Sequence, residues 1–258
     1  MATSNKTDLH CGHRQRLRQR YRKHGIETFA DYEVIEMLLT LFIPRVDVKP
    51  IAKSLISNFK NLRGILNASV EELAKIKGLG ENTCVSLKLL KDLITIYHAN
   101  ELQCGGDEMS TITKLTNYFK SKILSEKNEV LEMLCLDSQL RIIGDGSIRL
   151  VEGSVNSANV DIRKIVEIAI RCGASSIAIA HNHPSGNPKP SLEDIAFTKK
   201  LTTACKPISI SFIEHTIVAK TATFSFRKDG HFDCLYDEAL LERRVSARGV
   251  AQDLERLV

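Results

Sequence analysis

Residues 176–194 read Ser176-Ile177-Ala178-Ile179-Ala180-His181-Asn182-His183-Pro184-Ser185-Gly186-Asn187-Pro188-Lys189-Pro190-Ser191-Leu192-Glu193-Asp194. The first five form a short apolar run of the buried-strand type. Side chains two apart on a strand share a face, so His181 and His183 aim two imidazoles at one point. Pro184, Gly186, Pro188 and Pro190 make a stiff, turning loop. Ser191 then stands where a helix cap belongs. Asp194, one turn into that helix, can return to the point the histidines face. Two nitrogens and one carboxylate oxygen leave a fourth tetrahedral position for water, the catalytic rather than the structural form of a zinc site. A pair of histidines alone is a weak signal, because two at a strand end often just bond to backbone, and Ser-x-x-Asp often just caps a helix. The proline after His183 and the spacing to Ser191 and Asp194 favour the metal reading.

Working outward, the flanking segments alternate in type. Thr113 to Ile123, Val160 to Cys172 and Ser191 to about Cys205 have helical periodicity. Glu129 to Asp137, Arg141-Ile142-Ile143, Ile148 to Val151 and Ile208 to Ile213 read as strands. This mixture predicts an α/β or α+β domain with the sheet between helices.

The chain before it has another texture. From Leu9 to Leu93 nothing looks like a strand. Asp31 to Phe42 carries apolar residues at helical spacing before Pro44. Val48 to Phe59 repeats the pattern, Ser69-Val70-Glu71-Glu72 is a capping-box start, and a further helix runs from near Glu81 to about Tyr97. Glu101 to Glu108, with Gly105-Gly106, is the expected linker. The expected organisation is a helical domain over 1–100, a linker over 101–110, a mixed domain over 111–234 and a polar, helical tail over 235–258.

Charge separates the two parts further. Residues 1–100 hold 16 Lys+Arg against 10 Asp+Glu, while residues 101–258 hold 20 against 21. A basic module beside a neutral one points to nucleic-acid contact by the first, with a solvated surface as the plainer alternative. Seven cysteines, widely spaced and without C-x-x-C, argue against a disulfide framework or a four-cysteine zinc site. No apolar run approaches the ~20 residues that cross a bilayer, and the polar, basic start is unlike a signal peptide. A cytoplasmic protein without membrane contact is expected.

The string H-x-H-P-x6-S-x2-D resembles the JAMM motif of the MPN (JAB) metalloprotease fold. Ala180 to Pro188 resembles the bacterial RadC-like, or UPF0758, branch of that fold. Glu129 to Asp137, Gly153 to Ala158, Phe224 to Arg227, Gly12 to Arg18, Asp47 to Pro50 and Ile76 to Gly80 fit the same family. The resemblance implies a helical N-terminal domain followed by a cytidine-deaminase-like mixed sheet flanked by helices. It implies one Zn2+ per chain on His181, His183 and Asp194, with Glu129 as the base outside the metal shell and Ser191 as an oxyanion donor. Glu152, beside Gly153, is the rival base. Two departures stand out: a longer segment between Leu140 and Gly153, and Glu214-His215 where relatives commonly show Asp-His. His215 could back a metal-bound histidine, but a buried structural histidine is the preferred reading and it is left out of the site.

Leu73 to Lys88 resembles a helix-hairpin-helix element, in which Lys77, Gly78 and Gly80 would meet nucleic-acid phosphate, with Lys75 and Lys88 adding charge. Three functions follow as expectations. The first is a zinc peptidase acting on a protein or peptide substrate, with a module that recruits it to DNA. The second is a DNA-repair-associated DNA-binding protein using the MPN domain as a scaffold. The third is an interaction module with zinc as a staple. The complete ligand set favours the first.

Overall fold

Central to the second half of the chain is a five-stranded sheet in the order β2-β1-β3-β4-β5. Its strands are β1 (Val130–Leu136), β2 (Ile148–Glu152), β3 (Ser176–His183), β4 (Ser211–Ala219) and β5 (Thr223–Ser225). The computed structural model describes residues 6–105, 107–152 and 160–230. The family-like segment Gly153 to Ala158 and the expected tail therefore lie outside the described residues. Six helices, α1 (Lys6–His24), α2 (Asp31–Phe42), α3 (Lys49–Phe59), α4 (Leu62–Asn67), α5 (Val70–Ala74) and α6 (Glu81–Gln103), precede the sheet. α7 (Glu108–Ile123), α8 (Ile162–Arg171) and α9 (Leu192–Cys205) accompany it. The chain divides into two compact units, Met1–Ile94 and Thr95–Val258.

The first unit is helical, with no strand among its described residues. Its helices start where short-range chemistry says they should. Asn61 Oδ1 accepts from Gly64 N at the head of α4, and Ser69 and Glu72 close a capping box at the head of α5. Apolar side chains at helical spacing, Ile35 and Leu39 of α2 with Ala52 and Leu55 of α3, bury against Ile65 and Leu73.

In the second unit the sheet separates two apolar layers. Leu131, Met133, Ile177 and Ile179 bury against α8 and α9, while Val130, Leu134, Ala178 and Ala180 bury against α7. This alternation is the period of two written into β1 and β3. β1 pairs antiparallel with β3, and β3 pairs parallel with β4. A parallel pair needs a crossover, and α9 supplies it. The loop leaving the carboxyl end of β3 is thus where a site forms in such a sheet.

Several expected boundaries move. Arg141-Ile142-Ile143 is no strand: only Ile142 bridges Leu136. Asp137 Oδ1 accepts from Gln139 N and Arg141 N, so a side chain turns the backbone before a ladder can form. The strand expected from Ile208 starts at Ser211, because Lys206–Ile208 continue as a 3-10 turn with Pro207 at its start. It then runs on to Ala219 without alternation, since both its faces are covered. The helix expected to stop near Tyr97 continues to Gln103, where Leu102 is buried beside Leu115 and Phe119.

β4 carries a buried acid. Glu214 is paired with Ala178, on the α7 side. Ser225 Oγ donates to its Oε2 at 2.7 Å, and among the described residues its Oε1 has no partner. Burial pushes the carboxyl up to about 8, against the lowering by Ser225 and Arg227. Between the unfolded value near 4.5 and the folded value, the native chain holds a proton that the unfolded chain has lost. Stability from this group therefore falls as pH rises through that window, by at most about 1.4 kcal/mol per pH unit. Glu214→Gln, of similar shape and never charged, removes that slope. Its melting temperature relative to wild type is expected to rise from pH 5 to pH 8.5, and a constant difference across thermal scans would refute the assignment.

Candidate metal centre

His181 lies inside β3 and His183 at its end, with Leu131 of β1 and Ile217 of β4 on either side of His181. Ser191 caps α9. Its Oγ accepts from Asp194 N at 3.1 Å and donates to Asp194 Oδ2 at 2.7 Å, while Ser191 N donates to the same oxygen at 2.8 Å. This reciprocal cap fixes the carboxylate, with Oδ1 turned to His181 and Oδ2 to His183. His181 Nε2 stands 3.3 Å from Asp194 Oδ1, His183 Nε2 stands 3.6 Å from Asp194 Oδ2, and the two Nε2 atoms are 2.9 Å apart. The three ligand atoms lie within 4.8 Å of one another.

The proton inventory shows what this cluster accepts. His183 Nδ1 is 2.7 Å from Asn187 O, which can only accept, so Nδ1 carries the proton and Nε2 offers a lone pair. His181 Nδ1 is 2.8 Å from His215 Nε2. Two ring nitrogens and a carboxylate facing one point repel unless a cation sits among them. Two imidazoles and one carboxylate suit zinc. His181 is buried, but the side chains of His183 and Asp194 keep 15% exposure each, so one side opens to solvent. A closed staple would bury all of its ligands.

Titration follows the same geometry. Burial brings His181 down to about 4, opposed by the Asp194 charge. The neighbouring Asp194 carboxylate is the main reason the His183 value is raised. Its own burial opposes this, and the Asn187 carbonyl and the charges of Asp194 and Glu129 add to it. Burial pushes Asp194 up, yet His183, His181 and Ser191 together hold it well below the usual carboxylate range.

Glu129 immediately precedes β1 and is half-buried. Leu131 pairs with His181, so continuing that register sets Glu129 opposite His183, on the face both histidines use. Glu152, the rival, faces away: it pairs with Val130 on the α7 side and joins Arg149 at 3.2 Å. Glu132 is likewise on that side, held by Ser147 Oγ and Arg149 Nε.

Asn182 and Thr198, which have no reading from the sequence, support the centre, and so does His215, which the sequence reads as structural. Asn182, between the histidines, points to the opposite face. Its Oδ1 accepts from Val130 N at 2.8 Å, and its Nδ2 donates to Asn128 O at 3.0 Å and Glu126 O at 3.3 Å. It ties the segment bearing Glu129 to the strand bearing His181 and His183. Asn182→Ala leaves the buried Val130 N–H without a partner and is expected to cost about 2–3 kcal/mol of stability in chemical denaturation. His215 is buried, as expected, but it also contacts His181, and Thr198 Oγ1 lies 2.7 Å from its Nδ1. A polar residue between two ligands, and a threonine four residues after a ligand on one helix, were the available signals for Asn182 and Thr198. Nothing local links His215 to His181, because they meet through the β3–β4 register.

Lys77, Gly78 and Gly80 belong to the first unit, in the turn from α5 to α6. Gly78 has φ +90°, and a Cβ there would come 3.1 Å from Ile51 Cδ1, so a side chain is disfavoured twice. Gly80 O accepts from Thr83 N and Cys84 N at the head of α6, and Lys75 and Lys77 are exposed. Lys88 is spent on the fold: its Nζ donates to Leu66 O at 3.2 Å and Ala68 O at 2.9 Å, so it closes the end of α4 instead of facing a phosphate.

Comparison with known proteins agrees with this architecture. Residues 109–231 match the RadC-like JAB domain family and residues 10–85 the UPF0758 N-terminal family. A UPF0758 protein of Fusobacterium nucleatum subsp. nucleatum is 37% identical over 227 residues, covering 85% of this chain and 96% of that one. The chain belongs to the UPF0758 family. Other UPF0758 proteins are similar over most of the chain: one from Ruegeria pomeroyi at 33% identity over 220 residues (85% of this chain, 96% of that one), and one from Actinobacillus pleuropneumoniae serotype 5b at 32% over 212 residues (82% and 95%). Both UPF0758 modules are thus present, and the His-His-Asp group falls inside the RadC-like JAB domain. No described helix is long and apolar enough to cross a membrane.

Proposed function

We propose that this UPF0758 chain is a zinc-dependent hydrolase of peptide or isopeptide bonds. The observation that carries the reading is the convergence of His181 Nε2, His183 Nε2 and an Asp194 oxygen at a half-open point, with Glu129 on the same face. When bound, zinc supplies Lewis acidity towards a water molecule and a carbonyl oxygen. His181, His183 and Asp194 would hold the ion. Glu129 takes the proton of the attacking water and delivers it to the leaving amine. Ser191 holds Asp194 through its hydroxyl and, by turning that hydroxyl, gives a hydrogen bond to the oxyanion of the tetrahedral intermediate. The test is to incubate zinc-loaded protein with quenched-fluorescent peptide and isopeptide libraries, with and without a chelator. Chelator-sensitive cleavage supports the reading, and no cleavage in either library by zinc-loaded protein argues for the scaffold role.

A second reading concerns residues 1–100, which we infer grip a nucleic-acid backbone. The cations of α1 favour it because they are divided. Arg14 donates to Ile43 O and Val46 O, and Arg20 pairs with Glu33 at 2.6 Å, so both hold the fold. Arg16, Arg18, Arg22 and Lys23 remain on the exposed side of the helix. Arg16→Glu with Arg18→Glu is expected to weaken duplex DNA binding and to lower its salt slope by about 2. An unchanged slope in salt-titrated anisotropy would remove α1 from the interface.

A further inference from the structure

The polar chain behind His181 runs in one direction only. Its far end is the main-chain carbonyl of Asp194, which has no proton to give. Thr198 Oγ1 lies 2.6 Å from that oxygen, so the hydroxyl donates there. With its proton used, Oγ1 accepts from His215 Nδ1, 2.7 Å away. His215 is 1% exposed and stacked on Phe226 at 4.7 Å, an apolar setting that favours the neutral ring. Its Nε2 then bears a lone pair and accepts from His181 Nδ1 at 2.8 Å. His181 is left with Nδ1–H and a bare Nε2, turned to His183 and Asp194.

We propose that Thr198 is a positioning residue of the metal centre, setting the tautomer of His181 through His215 so that Nε2 is presented to the ion. The inference rests on the metal reading of the site. Without the Thr198 hydroxyl, a neutral His215 is free to carry its proton on Nε2 and donate it to His181 Nδ1. The proton of His181 must then sit on its own Nε2, where the ion requires a lone pair. Metal affinity falls by the fraction of chains in the wrong tautomer. Loss of such outer partners typically costs about 10- to 100-fold. The same hydroxyl binds the carbonyl of Asp194, so one side chain serves a ligand on β3 and a ligand on α9.

The experiment compares wild type, Thr198→Val and Thr198→Ser, with His183→Ala as a control that removes a ligand. Zinc dissociation constants come from competition with a chromophoric chelator. Histidine ring-nitrogen NMR shifts of the metal-free proteins report the His181 tautomer. Thr198→Val is expected to weaken zinc about 10- to 100-fold and to move His181 from Nδ1–H towards Nε2–H, with serine restoring both. Thr198→Ala replaces the valine variant if that one does not fold. A valine or alanine variant with the wild-type tautomer overturns the proposal, whether or not zinc binding weakens. If the wild type binds zinc no better than His183→Ala, the metal reading itself fails. The NMR comparison then decides alone whether Thr198 sets the tautomer.

Discussion

His183→Ala protein is expected to carry no more than about a tenth of an ion per chain after zinc reconstitution and gel filtration, where wild type carries about one. Losing an outer partner of a metal ligand costs up to about 100-fold in affinity, so losing a ligand must cost at least as much. His183 is also the ligand whose removal disturbs the fold least. It stands at the end of β3, keeps part of its side chain at the surface, and spends its other nitrogen on Asn187 O of a surface loop. His181 is a poorer choice because its ring is buried between His183 and His215. Elemental analysis beside circular dichroism checks the result. A folded His183→Ala protein with a full complement of zinc would remove this site from consideration.

Glu129→Gln should behave in the opposite way. It keeps its zinc, because the carboxylate lies outside the ligand set, and it loses turnover on a cleavable peptide. Loss of a general base costs about 10²–10⁴-fold in kcat. KM is expected to move little, since the proton is taken only in the transition state. Single-turnover assays on matched zinc-loaded proteins make the comparison. A variant that cleaves at the wild-type rate would return the role of base to another group, and Glu152 and Glu132 are turned to the wrong face of the sheet to take it.

The two results also separate the candidate roles of the domain. Metal lost in the first variant and activity lost in the second describe an enzyme. Metal lost in the first, without cleavage by wild type, describes a zinc-stabilised scaffold, and the weight then passes to the basic face of α1 and the turn at Lys77, Gly78 and Gly80.

Much of the centre could be read before any fold was known, because its parts are close in sequence. A strand period of two puts His181 and His183 on one face, and a capped helix start returns Asp194 to them. Both are local rules, set by backbone geometry within about a dozen residues. The helical character of the first hundred residues followed from local periodicity in the same way. Boundaries were less legible where a side chain or a distant layer intervened. Asp137 turned a β-like segment into a loop, and burial on both faces extended β4 through Glu214-His215-Thr216.

By itself, the sequence determined the grouping of His181, His183 and Asp194 and the mixed architecture that carries it, since each depends on the order of residues along short stretches. Only the tertiary structure decided which glutamate faces the histidines, because that depends on how β1 pairs with β3. It also decided that Asn182 holds the segment bearing Glu129, and that Thr198 and His215 stand behind His181. Those contacts join residues 17 to 56 positions apart through a parallel register, a crossover helix and an antiparallel pair. No short-range rule specifies such pairings; they exist only once the sheet has brought its strands together.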